Sequence, residues 1–180
     1  MAITLNGNGT LTGISAGGLP DGIIQSADLA SEIKLGQIRK VATGTTTGDI
    51  TTSVTGTSSA AAYLGCEATI TPVDSSSNFL LIFTAGHVIN NAASTMGFYL
   101  YSSENSGTYT DIGAKGVSGG YSQSQQTQRS MGTHFLYEPS ASSITSLGIR
   151  VYGYSAAPSY GTNYFNSGGA LTITILEVPS

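Results

Sequence analysis

The stretch ALTITILEV, residues 170–178, alternates apolar and polar side chains and contains no glycine or proline. In an extended chain Leu171, Ile173 and Ile175 fall on one face, and the intervening threonines fall on the other. A period of two residues sustained over this length predicts a β-strand with one face in a core. The end of the sequence therefore indicates a protein built from antiparallel β-sheet.

A second stretch, FLLIF at Phe79–Phe83, is apolar at every position. A strand that is apolar on both faces is either central in a two-sheet core or covered by another subunit. Because a single small sandwich leaves its outer faces in water, this segment also favours oligomerisation.

Short segments of this kind recur from about Gln37 onward, between clusters of Gly, Ser, Asn and Asp. Strands are predicted at Ile38–Thr43, Thr51–Thr57, Ala61–Val73, Phe79–Ile89, Met96–Ser102, Thr108–Gly113, Thr133–Glu138, Ser143–Tyr154 and Ala170–Val178. Predicted turns include Glu104–Gly107, Gly116–Gly120 and Asn166–Gly169. Short strands at this spacing predict an all-β fold, with a jelly-roll-like antiparallel β-sandwich over residues 41–180.

Residues 1–40 have a different pattern. Ile3–Leu5 and Thr10–Ile14 are alternating segments on either side of the sequence NGNG, which predicts a small hairpin. Ser26–Leu35 predicts a short helix that ends at Gly36.

A two-stranded hairpin and a two-turn helix bury too little surface to fold alone. Residues 1–40 are therefore interpreted as an N-terminal segment that attaches the chain to a larger particle. Leu29 and Ile33 lie four residues apart on one helix face, with Leu35 following. These three apolar residues are the predicted trimer or attachment interface.

The composition excludes several classes of function. Charged residues make up only 9% of the chain, the net charge is −4, and the 6 Lys and Arg residues form no cluster, so a nucleic-acid partner is not expected. No apolar run approaches the roughly 20 residues that a membrane-spanning helix needs, and no membrane insertion is predicted. The N-terminus lacks a basic start and an apolar stretch, so no signal peptide is expected.

Cys66 is the single cysteine, which rules out an internal disulfide bond, and it lies in a predicted strand. It is expected to be a small buried apolar residue. With so few charges, the polar surface must consist of Ser, Thr, Asn, Gln and Tyr. Hydroxyl groups are less costly to bury than charged groups, so this composition favours a chain that packs against copies of itself.

One set of residues suggests catalysis. The segment around His87 and the segment around Ser167 resemble the histidine and serine motifs of trypsin-like serine proteases, and Asp111 lies between them in the order of that family. Only one strand's length follows Ser167, which is too little to complete the second barrel of that fold. The residue before Ser167 is Asn166, where the family has aspartate. The protease remains an alternative, and no catalytic residue is predicted.

Metal and carboxylate chemistry are also weakly indicated. His87 and His134 are the only histidines, and they are more typical of structural or surface positions than of a metal site. Asp and Glu total 10, and several lie in turns or helix caps, so polysaccharide hydrolysis by a carboxylate pair is not favoured. No metal and no cofactor are expected.

Tyrosine dominates the aromatic residues, with 10 Tyr and no Trp. Four tyrosines near the C-terminal end are the candidate receptor-binding residues: Tyr152, Tyr154, Tyr160 and Tyr164. Tyrosines beside Gly- and Ser-rich loops make adaptable contacts with sugars or proteins. The alternative is that they pack on the sandwich or between subunits.

Three segments together resemble the tail-fibre and appendage proteins of marine tailed phages, especially cyanophages. They are MAITLNGNGTLTGISAGGLPDGII at 1–24, ITPVDSSSNFLLIFTAGHV at 70–88 and ALTITILEV at 170–178. The resemblance implies a trimeric jelly-roll domain at the outer end of an appendage and an N-terminal part that joins it to the particle.

Composition and resemblance together predict a non-enzymatic virion structural protein of a tailed bacteriophage, a tail fibre or short appendage that forms a homotrimer. A capsid decoration or head-fibre protein is the alternative. Expected partners are copies of the chain, other virion proteins of the tail, neck or capsid, and a host cell-surface glycan or protein. The expected location is the virion, assembled in the host cytoplasm and released by lysis.

Overall fold

The computed structural model describes residues 4–5, 11–12, 38–51, 61–90, 95–119, 127–155 and 164–180. The chain forms two compact units, Met1–Leu35 and Gly36–Ser180. In the first unit, strand β1 (Thr4–Leu5) pairs antiparallel with β2 (Leu11–Thr12). This pairing confirms the predicted hairpin. The predicted helix, with Leu29, Ile33 and Leu35, lies outside the described residues.

The second unit contains the remaining strands. They are β3 (Lys40–Thr47), β4 (Ile50–Thr51), β5 (Ala62–Ile70), β6 (Asn78–Asn90), β7 (Thr95–Glu104), β8 (Thr110–Gly119), β9 (Thr127–Tyr137), β10 (Leu147–Ser155), β11 (Tyr164–Asn166) and β12 (Ala170–Val178). One sheet has the order β5-β10-β7-β8, and the other has the order β3-β12-β6-β11-β4 with β9 also paired to β6. All pairings are antiparallel. The predicted all-β, jelly-roll-like antiparallel sandwich is confirmed.

The core lies between the two sheets and follows the alternation of the strands. On β12, Leu171, Ile173 and Ile175 are fully buried, while the threonines between them are half-buried on the other face. On β10, Ile149 and Val151 are also fully buried. The alternation of β12 was predicted from the sequence, and β10 follows the same period of two residues. The two alternations place the apolar faces of the two sheets against each other, as a sandwich requires.

Strand β6 is the centre of the larger sheet, since β12 pairs with one side of it and β9 with the other. Phe79, Leu81 and Phe83 point into the core and are at most 1% exposed. Leu80 and Ile82 lie on the opposite face and are half-buried. Of the two alternatives predicted for this apolar strand, the structure shows the central position in a two-sheet core.

The two sheets approach each other closely where β3 passes β5. A Cβ added to Gly44 would lie 1.7 Å from the carbonyl oxygen of Glu67, so only glycine fits there. The hydroxyl of Thr46 donates to the carbonyl oxygen of Gly65 at 2.6 Å, which adds a hydrogen bond between the layers. Cys66 is fully buried beside this contact, as expected, and burial raises the pKa of its thiol.

Two glutamates each fix one connection between strands, and the first of them is Glu177. The fully buried carboxylate of Glu177 accepts hydrogen bonds from the backbone N–H groups of Val73 and Asp74 and from the Ser77 hydroxyl, at 2.8–2.9 Å. Arg39 pairs with Asp74 at 2.7 Å on the same connection. The β5–β6 connection is thus fixed from the last strand of the chain.

Glu104, at the end of β7, binds the connection that follows β9. Its carboxylate accepts hydrogen bonds from the Tyr137 hydroxyl and from the backbone N–H groups of Ser140 and Ala141. Burial alone would raise the pKa of Glu104, but these hydrogen bonds outweigh it and lower the pKa.

The predicted turn at Glu104–Gly107 is confirmed. Asn105 and Ser106 have φ values of 53° and 61°, and the Gly107 N–H donates to the carbonyl oxygen of Glu104 at 2.9 Å. Two central residues with positive φ and this hydrogen bond define a type I′ turn, which lies within the longer β7–β8 connection.

Several predicted boundaries were wrong, and one strand was missed. Strand β3 ends at Thr47, not Thr43, and strand β9 begins at Thr127, not Thr133. Strand β8 continues to Gly119 through the predicted turn Gly116–Gly120, because the backbone of β7 pairs with these residues despite their low strand propensity. Strand β10 begins at Leu147, not Ser143. Strand β11 (Tyr164–Asn166) was not predicted, since three residues are too few to show alternation. Of the predicted strand Thr51–Thr57, only Thr51 is described, and it belongs to β4.

Candidate functional site

The outer face of the four-stranded sheet is rich in tyrosine. Because the apolar residues of β10 and β7 point inward, Tyr152 and Tyr154 on β10 and Tyr99 and Tyr101 on β7 point outward. Tyr63 on β5 lies beside them and is 41% exposed, and Tyr109 joins them from the β7–β8 connection. We call this surface the tyrosine face: Tyr63, Tyr99, Tyr101, Tyr109, Tyr152 and Tyr154.

The strand register brings these rings together. Tyr152 lies directly opposite Tyr63 on β5 and Tyr99 on β7, so three tyrosines form one row across three strands. The Tyr152 ring centroid is 5.6 Å from that of Tyr63 and 4.1 Å from that of Tyr101. Tyr99 and Tyr154 form a further pair at 5.1 Å. Such distances are typical of interacting aromatic rings, so the tyrosines support one another in a continuous layer.

Glycines on the neighbouring strands make room for two of these rings. Gly97 lies opposite Tyr154, and a Cβ there would be 2.0 Å from the Tyr154 ring. A Cβ on Gly148 would be 2.3 Å from the Tyr109 hydroxyl. Both side chains therefore lie across the backbone of an adjacent strand, where any larger residue would displace them.

An ion pair adjoins the tyrosine row. Glu67 on β5 accepts a hydrogen bond from Arg150 Nε at 2.8 Å and from the Tyr109 hydroxyl at 2.6 Å. The Arg150 guanidinium carbon is 4.0 Å from the Tyr109 ring centroid and 5.0 Å from that of Tyr63. Arg150 is thus held by a charged hydrogen bond and by two aromatic rings.

The pKa values of this cluster follow from its contacts. Burial would raise the pKa of Glu67, but hydrogen bonds from Tyr109 and Arg150 lower it. Burial, together with the hydrogen bond to Glu67, raises the pKa of Tyr109 to about 12. At neutral pH the cluster therefore contains one carboxylate, one guanidinium and neutral tyrosine hydroxyls.

A cleft of about 270 Å³ opens beside the ion pair. Its walls include Glu67, Arg150 and Tyr109, which it shares with the cluster described above. The other polar side chains that line it are hydroxyl groups, those of Thr69, Ser103, Ser106 and Ser146. The cleft and the tyrosine face form one surface, since the Tyr63 hydroxyl reaches Glu67 at 3.3 Å.

The structure distributes the four predicted receptor-binding tyrosines over different places. Tyr152 and Tyr154 lie on the tyrosine face, whereas Tyr164 lies on β11 in the other sheet, and Tyr160 is outside the described residues. Sequence reasoning missed Tyr63, Tyr99, Tyr101 and Tyr109. The pairs Tyr99/Tyr101 and Tyr152/Tyr154 share the same two-residue spacing, and this was the signal that could have placed them on adjacent outward faces.

The residues of the protease alternative lie on different sheets. Asp111 is on β8 of the four-stranded sheet, where its carboxylate accepts a hydrogen bond from the Gly113 N–H at 2.7 Å. It points outward opposite Tyr101. His87 is on β6 and Ser167 follows β11, both in the six-stranded sheet, and the His87 side chain is outside the described part of the chain.

Among the described residues, no three His, Cys, Asp or Glu side chains are grouped as a metal site would need. His134 is exposed on β9. In the same part of the chain, no helix has the length and apolarity needed to cross a bilayer.

The outer face of the six-stranded sheet presents a row of aliphatic side chains in place of tyrosines. Val41, Leu176, Leu80 and Leu136 are aligned in register across β3, β12, β6 and β9, and we call them the apolar row. Val41 and Leu136 are 53% and 48% exposed. The next row is Thr43, Thr174, Ile82 and His134, and the one after it is Thr45, Thr172, Thr84 and Gly132. None of these three rows contains Lys, Arg, Asp or Glu.

No protein-family model matches this sequence, and no curated protein matches it. Among solved structures, a chain from the structure of infectious bursal disease virus Gt strain has 15% identity and a TM-score of 0.45, over 92% of this chain and 47% of that one. This chain thus spans about half the length of the viral chain. A CBM4 structure has 16% identity and a TM-score of 0.18, over 73% of this chain and 92% of that one.

Proposed function

We propose that this chain is a non-enzymatic structural protein of a tailed-bacteriophage virion, a tail fibre or short appendage. In this proposal it forms a homotrimer, joins the particle through residues 1–40, and presents the β-sandwich for contact with the host surface. The resemblance of the three sequence segments to phage appendage proteins is the source of the phage assignment.

The apolar row is the observation that carries the assembly part of the proposal. It places exposed Val41 and Leu136 in line with half-buried Leu176 and Leu80, and neither this row nor the next two rows carry Lys, Arg, Asp or Glu. Contiguous apolar surface that lacks charge is typical of the buried centre of subunit interfaces. A second copy of the chain supplies the same kind of surface, so self-association removes it from water.

The experiment is a mass measurement in solution by light scattering, on the full chain and on two variants. We expect a mass three times the 18.3 kDa of the chain. Leu136→Ser should shift the mass towards the monomer, because it places a hydroxyl in the apolar row. The matched control is Val73→Ser, since Val73 is 70% exposed but lies outside the sheet, and its mass should not change.

A wild-type chain that is a stable monomer of 18.3 kDa with a cooperative melt would contradict the proposal.

Particle images with the protein located by antibody separate the two structural roles. Density at the tail or neck favours the appendage, and density on the capsid favours the decoration protein.

The proposal that the chain is not an enzyme has its own test. An active-site phosphonate probe should leave Ser167 unlabelled, and Ser167→Ala should behave as the wild type. Labelling of the wild type that is lost in Ser167→Ala would support the protease alternative instead.

A further inference from the structure

We infer that the tyrosine face and its adjoining cleft form a binding site for neutral oligosaccharides. The inference rests on the proposed host-surface contact and gives it a ligand class and a location on the fold.

The first argument is the chemistry of the groups that the face presents. Tyrosine rings offer apolar faces and edges to the C–H groups of a sugar, and their hydroxyls bond to the sugar hydroxyls. Here the row of Tyr63, Tyr152 and Tyr99 crosses three strands. Since neighbouring strands lie about 4.8 Å apart, this row is roughly 10 Å long, an extent suited to a short saccharide chain and not to a single small molecule.

The second argument is the cleft beside this row, across the same three strands. Its volume of about 270 Å³ is small, and its lining combines the Glu67–Arg150 pair with the hydroxyl groups of Ser103 and Ser146. A paired carboxylate and guanidinium provide both an acceptor and donors for adjacent sugar hydroxyls. The cleft therefore has room for one sugar unit, and the adjacent units of the same saccharide lie against the tyrosine row.

The third argument is rigidity. Glu67 is already hydrogen-bonded to Arg150 and Tyr109, and Arg150 lies against two aromatic rings. Because these side chains are fixed before a ligand arrives, little side-chain entropy is lost on binding. Weakly binding polar ligands such as sugars depend on such preorganised sites.

Charge decides which oligosaccharides fit. Among residues whose side chains are described, the charged ones on this face are Glu67, Arg150 and Asp111, and Arg150 is paired with Glu67. Among these described side chains the formal balance is one negative charge, which disfavours uronic and sialic acids. A second copy of the chain fits this face less well than the apolar row, since burying its ion pair and hydroxyls carries a desolvation cost.

The test uses the full-length wild-type chain on an immobilised panel of neutral glucan, galactan, mannan, rhamnan and chitin oligosaccharides, with polygalacturonate and polysialate oligosaccharides as the anionic members. Titration calorimetry with the best neutral member then gives the Kd. We expect neutral members to bind and anionic members to fail. Binding of the anionic members alone, or of no neutral member, overturns the inference.

Variants locate the site. Tyr152→Ala and Arg150→Met should each weaken binding roughly tenfold or more, as central contacts do when they are truncated. Tyr152→Phe keeps the ring and should retain most of the affinity. This result would show that the loss in Tyr152→Ala comes from removing the ring and not from misfolding. The matched control is Tyr164→Ala in the other sheet, with unchanged affinity expected. Loss in Tyr164→Ala without loss in Tyr152→Ala would overturn this location.

Light scattering on the same samples separates this inference from the assembly proposal. A trimer that binds no neutral glycan contradicts the inference and leaves the assembly intact. A monomer that binds neutral glycan supports the site and contradicts the assembly. A change of mass in Tyr152→Ala means that the tyrosine face contacts another copy, which overturns the inference.

Discussion

At the scale of single residues, the most consequential side chain is a buried acid. Glu177 is 0% exposed and accepts hydrogen bonds from Val73, Asp74 and Ser77, so one carboxylate satisfies three donors in the β5–β6 connection. Removing it leaves these three donors facing the space that the buried carboxylate filled, and each hydrogen bond left unmade there is costly.

We therefore expect Glu177→Ala to lower the free energy of unfolding by about 3 kcal/mol. The measurement is urea denaturation followed by circular dichroism. Glu138→Ala is the matched control, because Glu138 is exposed, and it should change stability by less than about 0.5 kcal/mol. Equal effects of the two substitutions would show that Glu177 does not anchor the connection.

The Glu104–Tyr137 hydrogen bond should make stability depend on pH at both extremes. Glu104 has a lowered pKa in the folded chain, so its contribution is present above the ordinary value of 4.5 and is lost as the pH falls through the folded value. Tyr137 has a pKa raised by burial and by Glu104 from 10.0 to about 12, so its contribution is present below pH 10 and is lost between pH 10 and 12.

The measurement is urea denaturation across the pH range. In Tyr137→Phe we expect a smaller alkaline loss, because the titrating group is gone, and a smaller acid loss, because Glu104 has lost one donor. A profile with the same slopes as the wild type would contradict this account.

At this scale the sequence predicted some contacts and not others. Burial of Cys66 was predicted from its strand position, and the two-residue period of β10 accounts for the outward direction of Tyr152 and Tyr154. The partners of Glu67 could not be predicted, since Tyr109 and Arg150 are 42 and 83 residues away in the chain. Only the strand register brings them together.

At the scale of the strands, Gly44 determines how closely β3 can approach β5. A Cβ at this position would lie 1.7 Å from the Glu67 carbonyl oxygen and 2.9 Å from the Ala68 nitrogen. Both are backbone atoms, so neither can move aside by rotating a side chain.

Gly44→Ala should therefore lower the free energy of unfolding by at least about 2 kcal/mol, measured by urea denaturation. Gly132→Ala on β9 is the matched control, because its Cβ would come no closer than 3.4 Å to another atom. It should be tolerated. If Gly44→Ala is tolerated as well as Gly132→Ala, the two strands do not pack as described.

The strands that could be predicted are those whose side chains alternate over many residues, such as β12, or are apolar at successive positions, such as β6. The end of β8 could not be predicted, because Gly116 and Gly119 have little strand propensity and are held by pairing with β7. Strand β11 is short, and it exists because Tyr164 pairs with Ile89 and Thr51. The end of β8 depends on pairing with the preceding strand, and β11 depends on partners that are distant in the sequence.

At the scale of the whole molecule, the sandwich has a complete core of its own. All buried apolar residues in the described part of the chain lie between Leu64 and Ile175, within the unit Gly36–Ser180. Its two outer faces differ in chemistry: one presents tyrosines and an ion pair, and the other presents the apolar row. The sequence predicted a two-faced apolar strand, but the alignment of the apolar row needs the register of four strands.

We expect a chain that lacks residues 1–35 to fold, with a melting temperature within a few degrees of the full chain. Differential scanning calorimetry measures this. In a virion-binding assay the shortened chain should no longer attach to particles. A shortened chain that fails to melt cooperatively would mean that the N-terminal unit contributes to the core.

Because Cys66 is buried, the reactivity of its thiol reports how often the sandwich opens. Its thiol is the only one in the sequence and has no solvent exposure, so a thiol-reactive dye can modify the chain only after β5 separates from its neighbours. The labelling rate in plain buffer then measures how often the sandwich opens. New cysteines placed on either outer face can carry probes selectively, since they react while the native one stays protected.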